Sequence, residues 1–167
     1  ATIEAVNAQI SPNGVIHLGD LTDGLLDRET CREYSHRVLD RITGWGKPFY
    51  MTIGNHDANY FRSNPHKLSG PEQYDCYLRG IVSGELTEDQ LWYDVDFPER
   101  KLAFLFLHSY DNEEKLRYGF PQEELDWVVE RLERLPKEYQ VVIFSHEAPL
   151  ARLDYWASEI RNGEMLT

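Results

Sequence analysis

Two cysteines in 167 residues, Cys31 and Cys76, are too few for a disulfide framework and lack the spacing of a zinc site. So few thiols fit a reducing compartment, and a cytoplasmic setting is the expectation. Long apolar runs are missing too: the longest are strand-sized, well short of the roughly 18 residues of a membrane span. The opening Ala1-Thr2-Ile3-Glu4-Ala5 lacks the basic and apolar regions of a signal peptide. Positive charge is scarce. Against 29 Asp and Glu stand 17 Lys and Arg, a net charge of -12. Such a chain repels polyanions unless metal ions intervene, so no broad nucleic-acid surface is expected. No internal repeat or low-complexity segment occurs. What remains is an ordinary globular balance, 41% hydrophobic and 28% charged, in a length that suits a single domain over residues 1–167.

The apolar residues fall into short runs that end in small or polar residues. Val15-Ile16-His17-Leu18 leads into Gly19-Asp20, Phe49-Tyr50-Met51-Thr52-Ile53 into Gly54-Asn55-His56-Asp57, and Val141-Val142-Ile143-Phe144 into Ser145-His146. These read as buried strands. Residues 91–97 and 102–107 read as a hairpin across Pro98-Glu99-Arg100-Lys101. Between them lie helical patterns. Cys31, Tyr34, Val38 and Ile42 share one face, with Gly44 as a stop. A second helix opens at Pro121, carries Glu123 and Glu124 in its first turn, and buries Leu125, Val128, Val129, Leu132 and Leu135 before Pro136. A short helix is expected from Pro71, after Ser69. The fold class is therefore α/β, mixed β-sheets flanked by helices. Residues 1–9 read as the end of a helix with no strand before it, and 148–167 end without returning to a strand. The expectation is a fragment of a longer chain, incomplete at both ends.

The chemistry sits where the strands stop, the usual place for a site in an open α/β sheet. Asp20, just after a flexible glycine, can hold a divalent cation. Asn55 offers a neutral oxygen, and His56 and His146 can ligate a metal or move a proton near neutral pH. Each tip alone could be a turn; if the three strands share one sheet, their tips converge. Gly-Asp-x-x-Asp over 19–23, Gly-Asn-His-Asp over 54–57, and a strand ending in His146 before Pro149 resemble the calcineurin-like metallophosphoesterase superfamily, which has an αββα sandwich. The resemblance spans 15–149. It implies Asp20 as the carboxylate bridging two divalent metals, Asn55 and His146 as ligands of one of them, His56 as the catalytic histidine, and Asp23 as the acid that orients it. Two metals would also reverse the local potential of so acidic a chain.

The family's Asp-x-His on the first strand and Gly-His-x-His near the end are not found, and excision from a longer protein is the expected explanation. The implied activity is metal-dependent hydrolysis of phosphate esters, monoester or diester. A hydroxide activated by two metals (Mn, Fe or Zn) attacks, and a histidine acts as general acid. The partner is a small phosphate ester. Gly24-Leu25 after Asp23 and Asp57 after His56 tilt away from phosphoprotein substrates. The alternative is a non-catalytic metal- or phosphate-binding module that keeps the fold. His17, His36, His66 and His108 are not expected to be ligands. Asp57 either assists the site or bonds its own turn. Trp45, Trp92, Trp127 and Trp156 read as core or edge aromatics, and Cys31 as buried and inert.

Overall fold

A computed structural model describes residues 2–84, 86, 87, 90–111, 113, 117–149, 162 and 165. Trp156 and most of 148–167 lie outside them. The elements run α1 (Thr2–Gln9), β1 (Val15–His17), α2 (Arg28–Thr43), β2 (Phe49–Met51), α3 (Gly70–Gln73), β3 (Tyr93–Phe97), β4 (Leu102–Phe106), α4 (Gln122–Arg134) and β5 (Gln140–Phe144). The strands form two sheets. β1 pairs parallel with β2, while β4 lies between antiparallel β3 and parallel β5. The 91–107 hairpin is present, its turn closed by Pro98–Arg100 and by Lys101 in a left-handed conformation. Among the described residues no helix is long and apolar enough to cross a membrane.

Aromatic rings join the sheets. Phe106 stacks on Tyr93 at 4.7 Å, on Phe144 at 5.0 Å and on Tyr50 at 5.6 Å, centroid to centroid. Strand alternation then sends Ala103, Leu105 and Leu107 to the other face, where they pack on Leu125 and Val128 of α4. On the far side, Cys31 and Leu39 of α2 and Tyr77 and Leu78 of the π-turn Tyr74–Leu78 cover Phe49 and Met51. The layers are helix, sheet, sheet, helix. Tyr93 makes a polar link between the sheets: its hydroxyl accepts from Met51 N at 2.9 Å and donates to Met51 O at 3.1 Å. These groups on β2 would otherwise be buried without partners.

Two helix faces differ from the sequence pattern. In α2 the buried positions are Cys31, Ser35 and Leu39, and Tyr34 is exposed. Asp27 caps this helix, accepting from Thr30 N at 3.0 Å. In α4, whose first helical residue is Gln122 after Pro121, Val129 and Leu132 are exposed and Glu124 is fully buried. Glu124 turns inward because its Oε1 accepts the main-chain N–H of His108 at 2.7 Å, at the end of β4. Arg131, on the same side of α4, grips β3 through Asp94 at 2.6 Å and Asp96 at 2.5 Å. A purely apolar count of the helix misses both.

Burial drives the Glu124 carboxyl well above its usual range, opposed only by the His108 N–H, and lowers the His108 imidazole to about 4. Burial therefore favours the protonated form of Glu124 in the folded protein relative to the unfolded chain. Stability from this group is lost as pH rises. Glu124→Gln keeps the acceptor and cannot titrate. By urea denaturation it is expected to exceed the parent at pH 8 by at least about 1 kcal/mol, with the gain vanishing near pH 4. A stability difference between variant and parent that does not change between pH 4 and pH 8 would show that the Glu124 carboxyl is not raised in the fold.

Candidate active site

The site begins where β1 stops. His17 Nδ1 accepts Gly19 N–H at 3.2 Å, and the chain then passes through two positive-φ residues, Gly19 at 92° and Asp20 at 58°. A Cβ on Gly19 would lie 2.6 Å from Gly54 N and 2.8 Å from His146 Nδ1. Glycine here therefore lets three strand ends approach one another, and Asp is among the few residues that tolerate the next position.

Asp57 ties the first two ends together. It is fully buried, and its Oδ2 accepts Asp20 N and Gly54 N at 2.8 Å each while Oδ1 accepts Leu21 N at 2.7 Å. Burial pushes its carboxyl up to about 6, although the three N–H groups favour the charged form. In return, Asp20 Oδ1 accepts His56 N at 3.0 Å. The side chain of His56 is fixed twice: Nδ1 donates to the Asp23 carbonyl at 2.7 Å, and the ring stacks on Phe61 at 4.4 Å. A carbonyl can only accept, so the Nδ1 proton is set and Nε2 is the nitrogen left to exchange a proton.

His146 arrives from β5, in the other sheet. Its Nδ1 donates to Leu18 O at 2.7 Å, which turns Nε2 to within 3.1 Å of Asn55 Oδ1 and 3.4 Å of Asp20 Oδ2. Glu147 Oε1 follows at 3.8 Å. Burial would lower the His146 imidazole, but Asp20, the Leu18 carbonyl and Glu147 outweigh it and push it up to about 9. Burial would likewise raise Asp20, but His146 and the His56 N–H hold it below the usual carboxylate range. Glu147 is raised by its burial, with the Asp20 charge adding to the effect.

The residues named from the sequence are thus brought together: Asp20, Asn55 and His146 converge, with His56 tethered to Asp20 through its main chain. They do not converge within one sheet. Asp20 and Asn55 follow the paired strands β1 and β2, and His146 crosses from the second sheet. Asp23 holds His56 through its carbonyl, where the resemblance implied its carboxylate, which instead accepts Leu25 N at 3.0 Å. His108 is buried, and His17 is half-buried with its ring lowered chiefly by burial.

The sequence did not single out the buried amides that hold the loops. Asn59 bonds both the N–H and the carbonyl of Leu26 and reaches His66 O; Asn64 donates to Gly24 O and Leu26 O. Their signal was the liking of Asn for turns and left-handed positions, and Asn59 has a φ of 52°. Tyr118 and Glu147 were missed as well. Glu147 at least adjoined a named histidine, whereas Tyr118 carried no local signal.

A carboxylate, an amide oxygen and an imidazole, with the imidazole oriented by a carbonyl, form a donor set suited to a divalent metal. Among the described residues no three His, Cys, Asp or Glu side chains are grouped to hold an ion. The donors stand at strand ends between two sheets that helices cover on both sides. The family model for calcineurin-like phosphoesterases matches residues 1–163, and the chain belongs to that family. Phosphoester hydrolysis is the chemistry of the family, and its members generally bind divalent metals. No curated protein matches the chain.

Proposed function

We propose that the protein hydrolyses small phosphate esters with divalent metal held at Asp20, Asn55 and His146 and with His56 as general acid. The observation that carries this is the meeting of those three donors, from both sheets, beside a histidine of fixed tautomer. Metal bound there would offset phosphate charge and lower the pKa of water. Asp20 Oδ2, Asn55 Oδ1 and His146 Nε2 are the holding atoms, and their mixed oxygen and nitrogen chemistry suits manganese, iron or zinc. Two ions are proposed by family membership, and Asp20 would be among the groups that hold them.

The remaining work falls to this chain's own groups. Asp57 fixes the spacing between the Asp20 turn and the Gly54 turn. The Asp23 carbonyl and the Phe61 ring aim His56 Nε2, from which a proton passes to the departing alkoxide. The rival, a non-catalytic module, keeps the ligands but has no use for a histidine so held.

Manganese titration by calorimetry on the full-length protein, with turnover of an aryl phosphate followed in parallel, tests the proposal. Asn55→Ala is expected to weaken manganese binding at least about tenfold, because one of three donors is lost. A parent protein that binds manganese but turns over no ester would favour the non-catalytic module. Unaltered manganese binding in Asn55→Ala would remove Asn55 from the ligand set.

A further inference from the structure

Asn55 is bracketed on both sides of its amide. Oδ1 faces His146 Nε2, and Nδ2 donates to the hydroxyl oxygen of Tyr118 at 3.5 Å. A phenol oxygen that accepts in this way still has its own O–H to donate. Among the described residues, that O–H meets no acceptor. Tyr118 is half-buried, and its hydroxyl lies beside Asn55, one of the residues that would hold metal.

The position is built rather than incidental. Tyr118 forms an antiparallel bridge with Tyr110, and their rings meet edge-on at 5.2 Å. Asp111 N donates to Arg117 O at 2.8 Å, and Gly119 N to Ser109 O at 2.9 Å, which closes the segment on both sides of the bridge. The Arg117 guanidinium lies over the Tyr60 ring at 4.5 Å, tying this segment to the loop that follows His56. Ser109 Oγ also accepts Glu147 N at 3.1 Å, so the same segment supports the turn that carries His146. The bridge with its two hydrogen bonds, the Tyr110 ring contact and the Arg117–Tyr60 contact together hold Tyr118 beside Asn55.

We infer that Tyr118 is a substrate-contacting residue whose hydroxyl donates a hydrogen bond to a non-bridging phosphoryl oxygen of an ester bound beside Asn55. A neutral donor suits this place, because Asp20 and Glu147 already supply negative charge that repels a phosphate. The inference rests on the phosphate-ester activity proposed above.

Tyr118→Phe keeps the ring and removes only the hydroxyl. In the full-length protein with manganese, three quantities are read: kcat/KM on an aryl phosphate, affinity for inorganic phosphate, and affinity for manganese. Loss of a donor to a charged acceptor is expected to lower kcat/KM and phosphate affinity by about 10–100-fold. Manganese affinity and the unfolding midpoint are expected to stay within about twofold and about 2 °C of the parent, because the ring packing remains. Phosphate affinity and kcat/KM within twofold of the parent would overturn the inference. So would a tenfold loss of manganese affinity with the phosphate effects fully explained by it, since Tyr118 would then only steady Asn55. A parent that neither hydrolyses the ester nor binds phosphate overturns the activity itself, and this contact with it.

Discussion

Replacing His56 with alanine is expected to lower kcat on an aryl phosphate by about 10²–10⁴-fold, the usual contribution of a positioned general acid. The expectation follows from how the ring is held. Nδ1 is committed to the Asp23 carbonyl, and Phe61 fixes the plane, so the exchangeable proton is on Nε2. The loss should shrink on esters whose leaving group is so acidic that it departs without a proton. A series of phenyl phosphates with increasingly acidic phenols separates the two effects. Manganese affinity should hold within a few-fold, because His56 touches Asp20 only through its main-chain N–H, which alanine keeps. A loss below about tenfold across the whole series would exclude His56 as the acid.

The second large effect is on stability. Asp57→Ala deletes a buried carboxylate and leaves the N–H groups of Asp20, Leu21 and Gly54 without an acceptor. Each orphaned donor costs about 1–3 kcal/mol, and partial relaxation brings the expected total to about 3–5 kcal/mol. That is a large share of the stability of a single domain. Asp57→Asn should fall between the parent and alanine, since one of its two terminal groups still accepts while the other donates toward an N–H. Urea denaturation measures both. Manganese titration of the surviving folded protein should show weaker binding, because the Asp20 and Gly54 turns lose their common anchor. A change in unfolding free energy under about 1 kcal/mol for Asp57→Ala would mean that water replaces the carboxylate, and that the tie between the two turns is weak.

Much of this was readable from local chemistry. The hairpin, a short helix after Ser69, and the strand tips at Asp20, Asn55 and His146 each follow from a few neighbouring residues. Ser69 does form a reciprocal capping box with Glu72. The helix faces were legible only in part. Hydrophobic spacing put Val129 and Leu132 inside, whereas Glu124 and Arg131 take that side through polar partners on β3 and β4. Periodicity registers apolar residues and has no term for a distant N–H or carboxylate.

By itself, the sequence determined the kinds of donor available and where each sits along the chain. Glycine or serine before every polar tip, with short apolar runs behind, commits Asp20, Asn55, His56 and His146 to strand ends. What only the tertiary structure decided is how those ends face one another. The stacked rings of Tyr50, Phe106 and Phe144 press one sheet onto the other, and this brings His146 against Leu18 O from across the interface. The same packing set the Asp23 carbonyl, rather than its carboxylate, against His56 and left the Tyr118 hydroxyl beside Asn55. These are contacts between residues 33 to 128 positions apart. Their geometry depends on sheet packing and loop closure, which no stretch of neighbouring residues encodes.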